Sequence, residues 1–452
     1  MSLEPFVKKA LRAALAEGAS EAEVYGSRAR SLLLYVDDGM VKNVEERMDQ
    51  GLAVRAIRSK KVGQSSITLA TIRDAETCAQ TAIKLANVSA PDPVFKRFAP
   101  SIKGNPAPIT YDKDLASLSQ EGICSLAKDI VYSAMEGGEV KVPSGIIRAA
   151  VSQNMVLNTS GAETEGRSTM LYLHFTAMTE GTDPGEGVRF HHSNKLTDLD
   201  PANFGAGLRA SAQDAQRAEH FRGQERMTVI MPPNELADLL LSSVAFSLSA
   251  ENVNKQRSAW AKRMGERVGS VQLNLVDDPF DERGICSSGY DDEGAPTQRK
   301  DLVDRGVLKG FMYDQYNALL SGRESTGNAL RRDPTDPQNA YRRPLDIDPI
   351  NLVWEPGSKR LEGMIMEVER GILVDKLASA EVNSITGAFG LEVRCAKEIV
   401  KGEVVRTIDH ALLAGNFYQA LMDVRDVSRE QTVVRNCVLP HVAFDHLEVI
   451  GA

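Results

Sequence analysis

Residues 227–248 read MTVIMPPNELADLLLSSVAFSL and hold a strand pattern, a double-proline break and a helix pattern in direct succession. Met227–Met231 is an apolar run of strand length. Pro232 and Pro233 end that run, because proline has no amide hydrogen for a ladder but is tolerated in the first turn of a helix. Apolar residues then recur at helical spacing, namely Leu236, Leu239, Leu240, Val244 and Leu248. We therefore expect a new domain to start close to this stretch.

The chain beyond this helix is predicted to be rich in strands. From Val268 onward short strand patterns alternate with turns, and a helical pattern returns only around Gly415–Val424. Strands that come in runs, with helices set apart from them, are typical of α+β proteins and not of a βαβ succession. We therefore predict an α+β fold with antiparallel or mixed sheets flanked by helices. Residues 223–452 are expected to form its strand-rich C-terminal domain.

Residues 1–222 are predicted to form an N-terminal α+β domain in two sub-parts, 1–90 and 109–222. The Pro-rich segment 91–108 joins the two sub-parts, because proline interrupts both helices and strand ladders. We expect that segment to be a linker or an extended, wrapping arm. The elements predicted in the first sub-part are an amphipathic helix at its start, strands at Ser31–Val36 and Gly51–Ile57, and a helix at Ile72–Ala90.

The second sub-part combines two helix patterns with strands. Its predicted elements are a helix at Leu115–Gly137, strands at Ile146–Ala150, Met155–Asn158 and Ser168–Thr176, and a long polar helix at Asp200–Glu225. The last two strands are separated by Asn158–Gly161, which has the Asn and Gly content of a turn.

Length, charge and cysteine usage exclude several classes of protein. At roughly 150 residues per domain, the 452 residues predict two to three domains. The net charge of −9 opposes direct nucleic-acid binding, which needs a cationic surface to displace counterions from phosphates. No stretch resembles a signal peptide or reaches the roughly 18 apolar residues of a membrane span. Five scattered cysteines without a CxxC pair favour reduced thiols, so we expect a cytoplasmic protein without membrane contact.

An acidic run at residues 276–294 is a candidate cation site. It reads VDDPFDERGICSSGYDDEG and carries seven carboxylates, the group that Ca²⁺ and Mg²⁺ prefer. Its spacing does not fit the EF-hand loop. Asp-Asp-Pro and Asp-Glu-Gly are also the residue types that turns require. We therefore favour two structural turns over a metal site.

Two further patterns are weaker. Gly322–Ala329 (GRESTGNA) looks like a phosphate cradle but lacks the Gly-Lys-Ser/Thr ending of a P-loop. The histidines show no pair at the i, i+4 spacing of a helical zinc site, so we interpret all of them as structural. They are His174, His191, His192, His220, His410, His441 and His446. A triad assembled only in space stays open, although no GxSxG supports one.

Several segments together resemble the TldD/PmbA family. One is the run Leu275–Pro279 and Asp291–Thr297, followed by Gly306–Gly310. The others are Ser325–Ala329, Asn383–Phe389 with Ala414–Phe417, and the pattern around Gly51–Gly63. Each motif is weak alone, whereas their order and spacing along most of the chain are specific.

The resemblance implies an intracellular metallopeptidase family, also called modulators of DNA gyrase. Its TldD-like branch carries a helix with an HExxxH motif that binds zinc and supplies a glutamate base, plus a downstream cysteine ligand. Its PmbA-like, or TldE, branch lacks these ligands and pairs with a TldD-like subunit. The joint assembly cleaves small unfolded peptides such as microcin leaders and antitoxins.

The slot for that motif is degenerate in this chain. The two histidine positions hold Asn234 and Leu239, and only the glutamate persists, as Glu235. Asparagine offers a neutral oxygen and leucine offers nothing, whereas a catalytic zinc takes three protein ligands. The region of the cysteine ligand matches Val427–Val434, which has no cysteine; Cys437 lies slightly beyond it. We therefore expect no catalytic, cofactor-binding or metal-ligating residue here, and a PmbA-like chain.

Glu235 has two interpretations. As a general base it would need a water polarised by a metal. The simpler interpretation, which we favour, is a carboxylate in the first turn of the helix, close to an Asn234 cap and favourable with the helix dipole.

Three functions follow from these expectations. The first is a PmbA/TldE-like subunit of a two-component peptidase for small unfolded peptides, with zinc in a TldD-like partner or with the chain forming a homodimer. It would contribute half of a chamber and bind extended peptide at a sheet edge. The second is a stand-alone metallopeptidase with ligands drawn from His191, His192, His441, Cys437 or the acidic run. The third is a non-enzymatic regulator of a partner such as DNA gyrase.

Overall fold

The computed structural model describes residues 2–104, 108 and 110–451, with 25% helix and 41% strand. Two large sheets, one from each half of the chain, form its framework. The predicted α+β class and the strand-rich second half are confirmed. The boundary between residues 222 and 223 stays a prediction, although strands of the first sheet end at Ser193 and those of the second begin at Glu219.

The first sheet is a six-stranded antiparallel sheet with long central strands. Its strands are β1 (Glu21–Asp37), β2 (Met40–Arg58), β3 (Lys61–Thr68), β4 (Val140–Asn158), β5 (Glu163–Thr179) and β6 (Glu186–Ser193). They lie in the order β3-β2-β1-β4-β5-β6. The prediction of two strands within β4 is wrong, because ladders to β1 and β5 continue through the polar residues 151–154.

Helices cover one face of this sheet. They are α1 (Glu4–Ala16), α2 (Ile72–Val88), α3 (Lys113–Ala116), α4 (Gln120–Met135) and α5 (Pro201–Gln216), with a 3₁₀ turn at Leu196–Asp198. The helix predicted at Leu115–Gly137 is split, because the hydroxyl of Ser119 accepts a hydrogen bond from the amide of Gly122 and starts α4. The helix predicted at Asp200–Glu225 ends at Gln216, after which the chain enters the second sheet.

The second sheet is a twelve-stranded mixed sheet. The strands of the second half are β7 (Glu219–His220), β8 (Gln224–Met231), β9 (Leu275–Asp277), β10 (Lys300–Asp304), β11 (Val307–Leu308), β12 (Ala329–Leu330), β13 (Asp346–Ile347), β14 (Leu352–Trp354), β15 (Arg370–Leu377), β16 (Ala388–Val400), β17 (Glu403–Asp409), β18 (Ala411–Asn416), β19 (Val424–Val434) and β20 (Cys437–Gly451). The main path is β11-β10-β9-β14-β20-β8-β15-β16-β17-β7. Strand β18 pairs with β16 and β20, β19 pairs with β20, and β12 and β13 form a separate pair.

Short helices accompany this sheet. They are α6 (Pro233–Leu239), α7 (Phe246–Leu248), α8 (Ala250–Asn254), α9 (Gln315–Ser321), α10 (Leu361–Met366) and α11 (Phe417–Ala420), with 3₁₀ turns at Ala340–Arg342 and Leu421–Asp423. The expectation that helix returns only around Gly415–Val424 is wrong, since α9 and α10 come earlier; each is too short for a clear periodic signal. In the described chain, no helix combines the length and apolar character that a membrane crossing needs.

The Pro-rich segment lies against the first sheet over much of its length. Phe98 is fully buried and Phe95 nearly so. Both rings lie beside the guanidinium of Arg55, whose central carbon is 5.2 Å from the Phe98 centroid and 5.7 Å from that of Phe95. The side chain of Asn158 donates to the carbonyl of Ala99 at 2.9 Å. This part of the segment is therefore an extended arm, and its residues 105–107 lie outside those described.

The two faces of β1 are buried against different partners. Side chains alternate between the faces of a strand. Val24 and Leu34 belong to the apolar clusters under the helices. Tyr25, on the other face, clusters with Tyr341 from the second half. Because both faces are covered, residues Leu32–Val36 of β1 form a continuous apolar run, whereas the earlier part of the strand also buries Glu23 and Ser27.

A buried ion-pair triad joins the two halves of the chain on that second face. Arg55 donates to Glu23 at 2.7 Å and to Glu293 at 2.6 Å, and all three side chains are at most 9% exposed. Burial raises the pKa of Glu23 to about 7. Burial acts to lower the pKa of Arg55, but the two carboxylates outweigh it and the net shift is upward. The arginine therefore stays charged between two acids contributed by different halves.

A close aromatic contact reinforces this junction. The ring of Tyr341 lies over Gly51 so tightly that a Cβ there would come within 2.3 Å of it. The hydroxyl of Tyr341 bonds to Thr68 at 2.7 Å and donates to Asp49 at 3.1 Å. Glycine is therefore required at position 51 for the second half to reach the sheet.

Replacing Arg55 with methionine should strongly destabilise the protein. The change leaves two buried carboxylates without their cation, and breaking a buried pair in this way costs about 3–5 kcal/mol. Denaturant titration of the free energy of unfolding measures the loss. The matched control is Arg30→Met, because Arg30 pairs with Glu46 at the surface, where such a pair contributes about 0–1 kcal/mol. Equal losses in the two variants would contradict the central role of the triad.

Candidate functional site

Helix α6 carries the degenerate motif slot and begins directly after β8. Pro232 is the N-cap residue, Pro233 occupies the first helical position, and no side chain caps the helix. Asn234 therefore lies inside the first turn, and the expectation that it caps the helix is wrong. The double proline sets this start, since it ends the strand and supplies a preformed backbone angle to the helix.

The helix widens immediately after the slot. Residues Leu240–Ala245 form a π-helical turn between α6 and α7. The hydroxyls of Ser242 and Ser243 donate to the carbonyls of Asp238 and Leu239 at 2.6 and 2.5 Å. Such back-bonding competes with the regular ladder and bends or widens a helix.

The second histidine position of the slot is a core position here. Leu239 is 1% exposed and belongs to the main apolar cluster of the second half, with Leu236 and Leu240 beside it in sequence. This burial places the residue on the face of α6 that packs on β19 and β20. A ligand at this position would have to point into the core.

Glu235 is buried, unlike an ordinary first-turn carboxylate. It is 7% exposed, and burial raises its pKa to about 7. The charge of Lys376 and the amide of Leu377 lower this pKa, while Asp238 and Asp375 raise it. The register of β15 against β16 shifts on both sides of Lys376, and such bulges change the direction in which a side chain points. Glu235 lies in the first turn of the helix, as expected, but the expected cap at Asn234 is absent, and burial is the largest influence on the pKa of the carboxyl.

Cys437 is the first residue of β20, one of the strands beneath α6. Burial raises the pKa of its thiol; Arg435 opposes this shift, and Asp348 and Asp238 add to it. The Val427–Val434 segment lies on β19, which forms a hairpin with β20. The fold therefore brings the cysteine near the slot, but as a buried neutral thiol.

An arginine stands among the residues of the slot. Arg435 lies in the β19–β20 turn with a positive φ of 52° and forms an ion pair with Asp238 of α6. Its charge also acts on Cys437 and on His192. Sequence reasoning missed this residue, because nothing along the chain links position 435 to a helix that ends near residue 239.

The other histidines proposed as alternative ligands are dispersed. His191 and His192 are neighbours on β6: His191 bonds to the Ser193 hydroxyl at 3.1 Å, and the His192 ring lies 5.1 Å from that of Tyr172. Burial lowers the pKa of His192 to about 3. His441 lies on β20, and burial lowers its pKa as well. These rings are held by packing and by hydroxyl contacts.

The acidic run forms turns whose carboxylates bond to amides and cations. Asp277 bonds to Lys300 at 2.7 Å and to the side chain of Asn328 at 2.7 Å. Asp291 accepts from the backbone amides of Glu293, Ala295 and Ala329. Asp292 pairs with Arg332 at 3.1 Å, and Glu293 is the acid of the Arg55 triad. Each of these four carboxylates therefore has partners within the protein.

The segment Gly322–Ala329 is also structural. Gly322 ends α9 in the left-handed conformation, with φ of 65°. Gly327 packs so closely on Pro296 that a Cβ added at position 327 would come within 2.5 Å of the Pro296 carbonyl oxygen. Asn328 is fully buried and binds Asp277 and the carbonyl of Asp348. The segment therefore locks the acidic run in place.

A cavity of about 250 Å³ lies between the first sheet and loops of the second half. Residues of β1, β4 and β5 line one side, and the segments 285–291 and 332–340 line the other. Its polar lining includes Ser27, Arg167, Ser287, Tyr290 and Arg332. The cavity offers hydroxyl and guanidinium donors to a polar ligand.

Among the described residues, one group of three or more His, Cys, Asp or Glu side chains has its ligand atoms within 4.8 Å of one another. It consists of His220, Asp409 and His410. The side chains of His220 and His410 are 63% and 56% exposed, and their interpretation as structural residues stays a prediction. His220 and His410 are 190 positions apart, and this separation gives no signal along the sequence.

Comparison with known proteins agrees with this architecture. The family model for the PmbA/TldA metallopeptidase C-terminal domain matches residues 224–451, and that for domain 1 matches residues 22–86. The metalloprotease PmbA of Escherichia coli O157:H7 is 21% identical over 99% of this chain and 96% of its own. A TldD homologue of Haemophilus influenzae is 23% identical over 90% of this chain and 85% of its own.

Solved structures show the same fold. TldE from Thermococcus kodakarensis superposes with a TM-score of 0.88 at 25% identity, covering 99% of this chain and 100% of that one. A Thermotoga maritima protein described as a modulator of a DNA gyrase gives a TM-score of 0.88 at 24% identity over the same shares. With the family model covering the whole second half, the resemblance seen in the motifs is confirmed, and the chain belongs to the PmbA/TldD metallopeptidase family.

Proposed function

We propose that this chain is a PmbA/TldE-like subunit of a two-chain metallopeptidase and does not itself hold the catalytic zinc. The burial of Leu239 in the core carries this proposal. A catalytic zinc takes three protein ligands and one water. Leucine has no ligand atom, and even a histidine at this position would face apolar neighbours. The likeness to TldE from Thermococcus kodakarensis supports the same assignment.

Electrostatics around the slot also oppose a dication. The cysteine that binds zinc is a thiolate, whereas burial raises the pKa of the Cys437 thiol and keeps it neutral. The guanidinium of Arg435, a group that is permanently cationic in proteins, acts on the same thiol. The residues at this site do not fit a catalytic zinc, and we assign no catalytic residue to it.

Glu235 then acts as a structural group. A general base for peptide hydrolysis needs access to a metal-activated water. Glu235 is 7% exposed and faces Lys376 and the amide of Leu377. We assign it to fixing the start of α6 against β15.

The substrate class follows from the cavity between the two halves. Extended, unfolded peptides can pair with sheet edges and fill grooves lined by polar donors. Arg167 at this cavity provides donors for peptide carbonyls or a carboxyl terminus, whereas the guanidinium of Arg332 is already bonded to Asp292 and to the carbonyls of Cys286 and Tyr290. The zinc would come from a TldD-like partner in the cytoplasm, and a homodimer of this chain is the alternative assembly. The net charge of −9 argues against nucleic acid as the ligand.

Reconstitution with a TldD-like partner tests this function. Each protein is purified separately, and the hydrolysis of an unstructured peptide is followed for either chain alone and for the mixture. We expect peptidase activity in the mixture and none in this chain alone. Partner activity that is equal with and without this chain would contradict the subunit role. Activity of this chain alone would favour a stand-alone peptidase.

Introducing the two histidines of the HExxxH motif should not create a zinc site on α6. In Asn234→His/Leu239→His, a polar imidazole replaces a fully buried leucine, which should lower the free energy of unfolding by about 2–4 kcal/mol. The control Asn234→His changes a half-buried residue and should cost less. Zinc content is measured in chains that also carry His220→Ala, so that zinc held by the exposed group of His220, Asp409 and His410 is not counted. An ion bound by the double variant but not by the control would contradict the account.

Glu235→Gln should change how stability depends on pH. The carboxyl has a pKa of about 7 in the folded chain instead of 4.5, so the folded protein holds a proton that the unfolded chain has released. Its contribution to the free energy of unfolding therefore falls as pH rises from 4.5 to 7, by up to about 3 kcal/mol. The variant should be similar to wild type at the acid end of this range and more stable above it.

Denaturant titrations across this pH range measure the difference between Glu235→Gln and wild type. The matched control is Glu362→Gln, an exposed glutamate in the first turn of α10, for which we expect no such trend. A difference that is constant with pH would show that Glu235 is already charged in the folded chain, which contradicts its burial as the dominant effect.

A further inference from the structure

The His220–Asp409–His410 cluster lies at one end of the twelve-stranded sheet. Strand β7 pairs in parallel with the end of β17, which sets Asp409 opposite His220. The amide of Phe221 donates to the carbonyl of Asp409 at 3.1 Å. His410 follows Asp409 in the tight turn before β18, with a positive φ of 49°. The backbone therefore fixes the positions from which all three side chains project.

The side chains converge on one another. Asp409 Oδ1 lies 2.7 Å from His220 Nδ1, and Asp409 Oδ2 lies 3.7 Å from His410 Nε2. The two imidazole rings are almost perpendicular, at 86°, with centroids 4.6 Å apart. Both histidines are more than half exposed, whereas Asp409 is 21% exposed. A partly buried carboxylate is thus flanked by two imidazoles that solvent can reach.

We propose that His220, Asp409 and His410 bind a divalent transition-metal ion of the zinc class. Two imidazole nitrogens and one carboxylate oxygen are a mixed N/O donor set that suits Zn²⁺, Ni²⁺ or Cu²⁺, whereas Mg²⁺ and Ca²⁺ prefer oxygen throughout. The three ligands come from two segments of chain that only the folded sheet brings together.

The distances fit such an ion after small side-chain movements. Zinc bonds of about 2.0–2.1 Å in tetrahedral geometry put neighbouring ligand atoms roughly 3.3 Å apart. The observed separations of 2.7 and 3.7 Å, which are measured from the two different oxygens of Asp409, lie on either side of that value, and the three ligand atoms lie within 4.8 Å of one another. The exposed imidazoles can rotate to equalise them, while Asp409 keeps its place in the sheet.

Charges next to the cluster are paired and leave Asp409 to the two histidines. Glu219, adjacent to His220 on β7, pairs with Arg406 at 2.7 Å. Arg406 also pairs with Glu398 of β16. This arrangement directs the charge of Arg406 to two acids other than Asp409.

The three ligands leave one tetrahedral position for water or for a group from another molecule. Two histidines and one carboxylate are also the ligand set of some zinc peptidases. The cluster is therefore distinguished from the slot on α6 by its place at the end of the sheet, and not by its donor set. The ion would tie β7, the segment that links α5 to β8, onto the edge strand β17. Since an ion that binds the folded chain stabilises it, occupancy should raise the melting temperature.

Metal titration of the full-length, tag-free and chelator-treated chain tests the proposal. Zn²⁺ is titrated by calorimetry, and Co²⁺ is added separately because its absorption bands report nitrogen coordination. We expect a single equivalent to bind with a rise in melting temperature, and Mg²⁺ in excess not to compete. Loss of a ligand should weaken Zn²⁺ binding by about tenfold or more, since even outer partners of a ligand contribute 10–100-fold.

The variants are His220→Ala, His410→Ala and Asp409→Asn. The two histidines are exposed and Asp409 is partly buried. The matched control is His446→Ala, because His446 is also exposed and also has a positive φ, of 61°, but lies outside the cluster. Circular dichroism verifies that each variant is folded. Weaker binding in the three variants, with the control unchanged, supports the site.

Two results would overturn the proposal: wild-type affinity in His220→Ala/His410→Ala, or no Zn²⁺ heat and no Co²⁺ bands with the wild-type chain. The site is independent of the proposed subunit role. Activity in the reconstituted mixture should be the same with the double variant, so that failure of reconstitution and failure of metal binding are separate outcomes. Zinc found in the purified wild-type chain would belong here and not beside α6.

Discussion

The junction between the two sheets depends on one guanidinium. Arg55 of β2 lies between Glu23 of β1 and Glu293 of the second half, in surroundings that exclude water. Two acids cannot be buried together unless a cation shares their field. This pairing joins Glu293 of the acidic run to the first sheet, and the contact of Tyr341 on Gly51 and the cavity lie at the same junction.

The surroundings of α6 bear on whether this chain can hold a zinc ion. The helix keeps the place and the glutamate that its family resemblance predicts, but its surroundings differ from those of a zinc centre. Leu239 supplies core packing, Glu235 is desolvated beside Lys376, and Arg435 puts a positive charge near Cys437. Contact with β19 and β20 packs this helix against the sheet, which is compatible with the proposal that it holds no zinc.

Parts of this picture could be predicted from the sequence and others could not. Alternation, turns and prolines predicted the α+β class, the arm after α2 and the start of α6, because these depend on local backbone preferences. The length of β4 depends on its ladders to β1 and β5. The polar residues 151–154 look like a break in the sequence, although the ladders continue through them. Burial of Glu235 and the ion pair of Arg435 arise from β15 and β20 packing beside α6. The His220–Asp409 contact joins residues 189 positions apart, and no local pattern encodes such a contact.

The most direct test of the account is the location of zinc in a co-crystal of this chain with a TldD-like partner. Anomalous scattering at the zinc edge identifies the ion without assumptions about its ligands. The account predicts a peak at the partner's motif helix and none near α6 of this chain. A peak within bonding distance of Glu235 or Cys437 would contradict it.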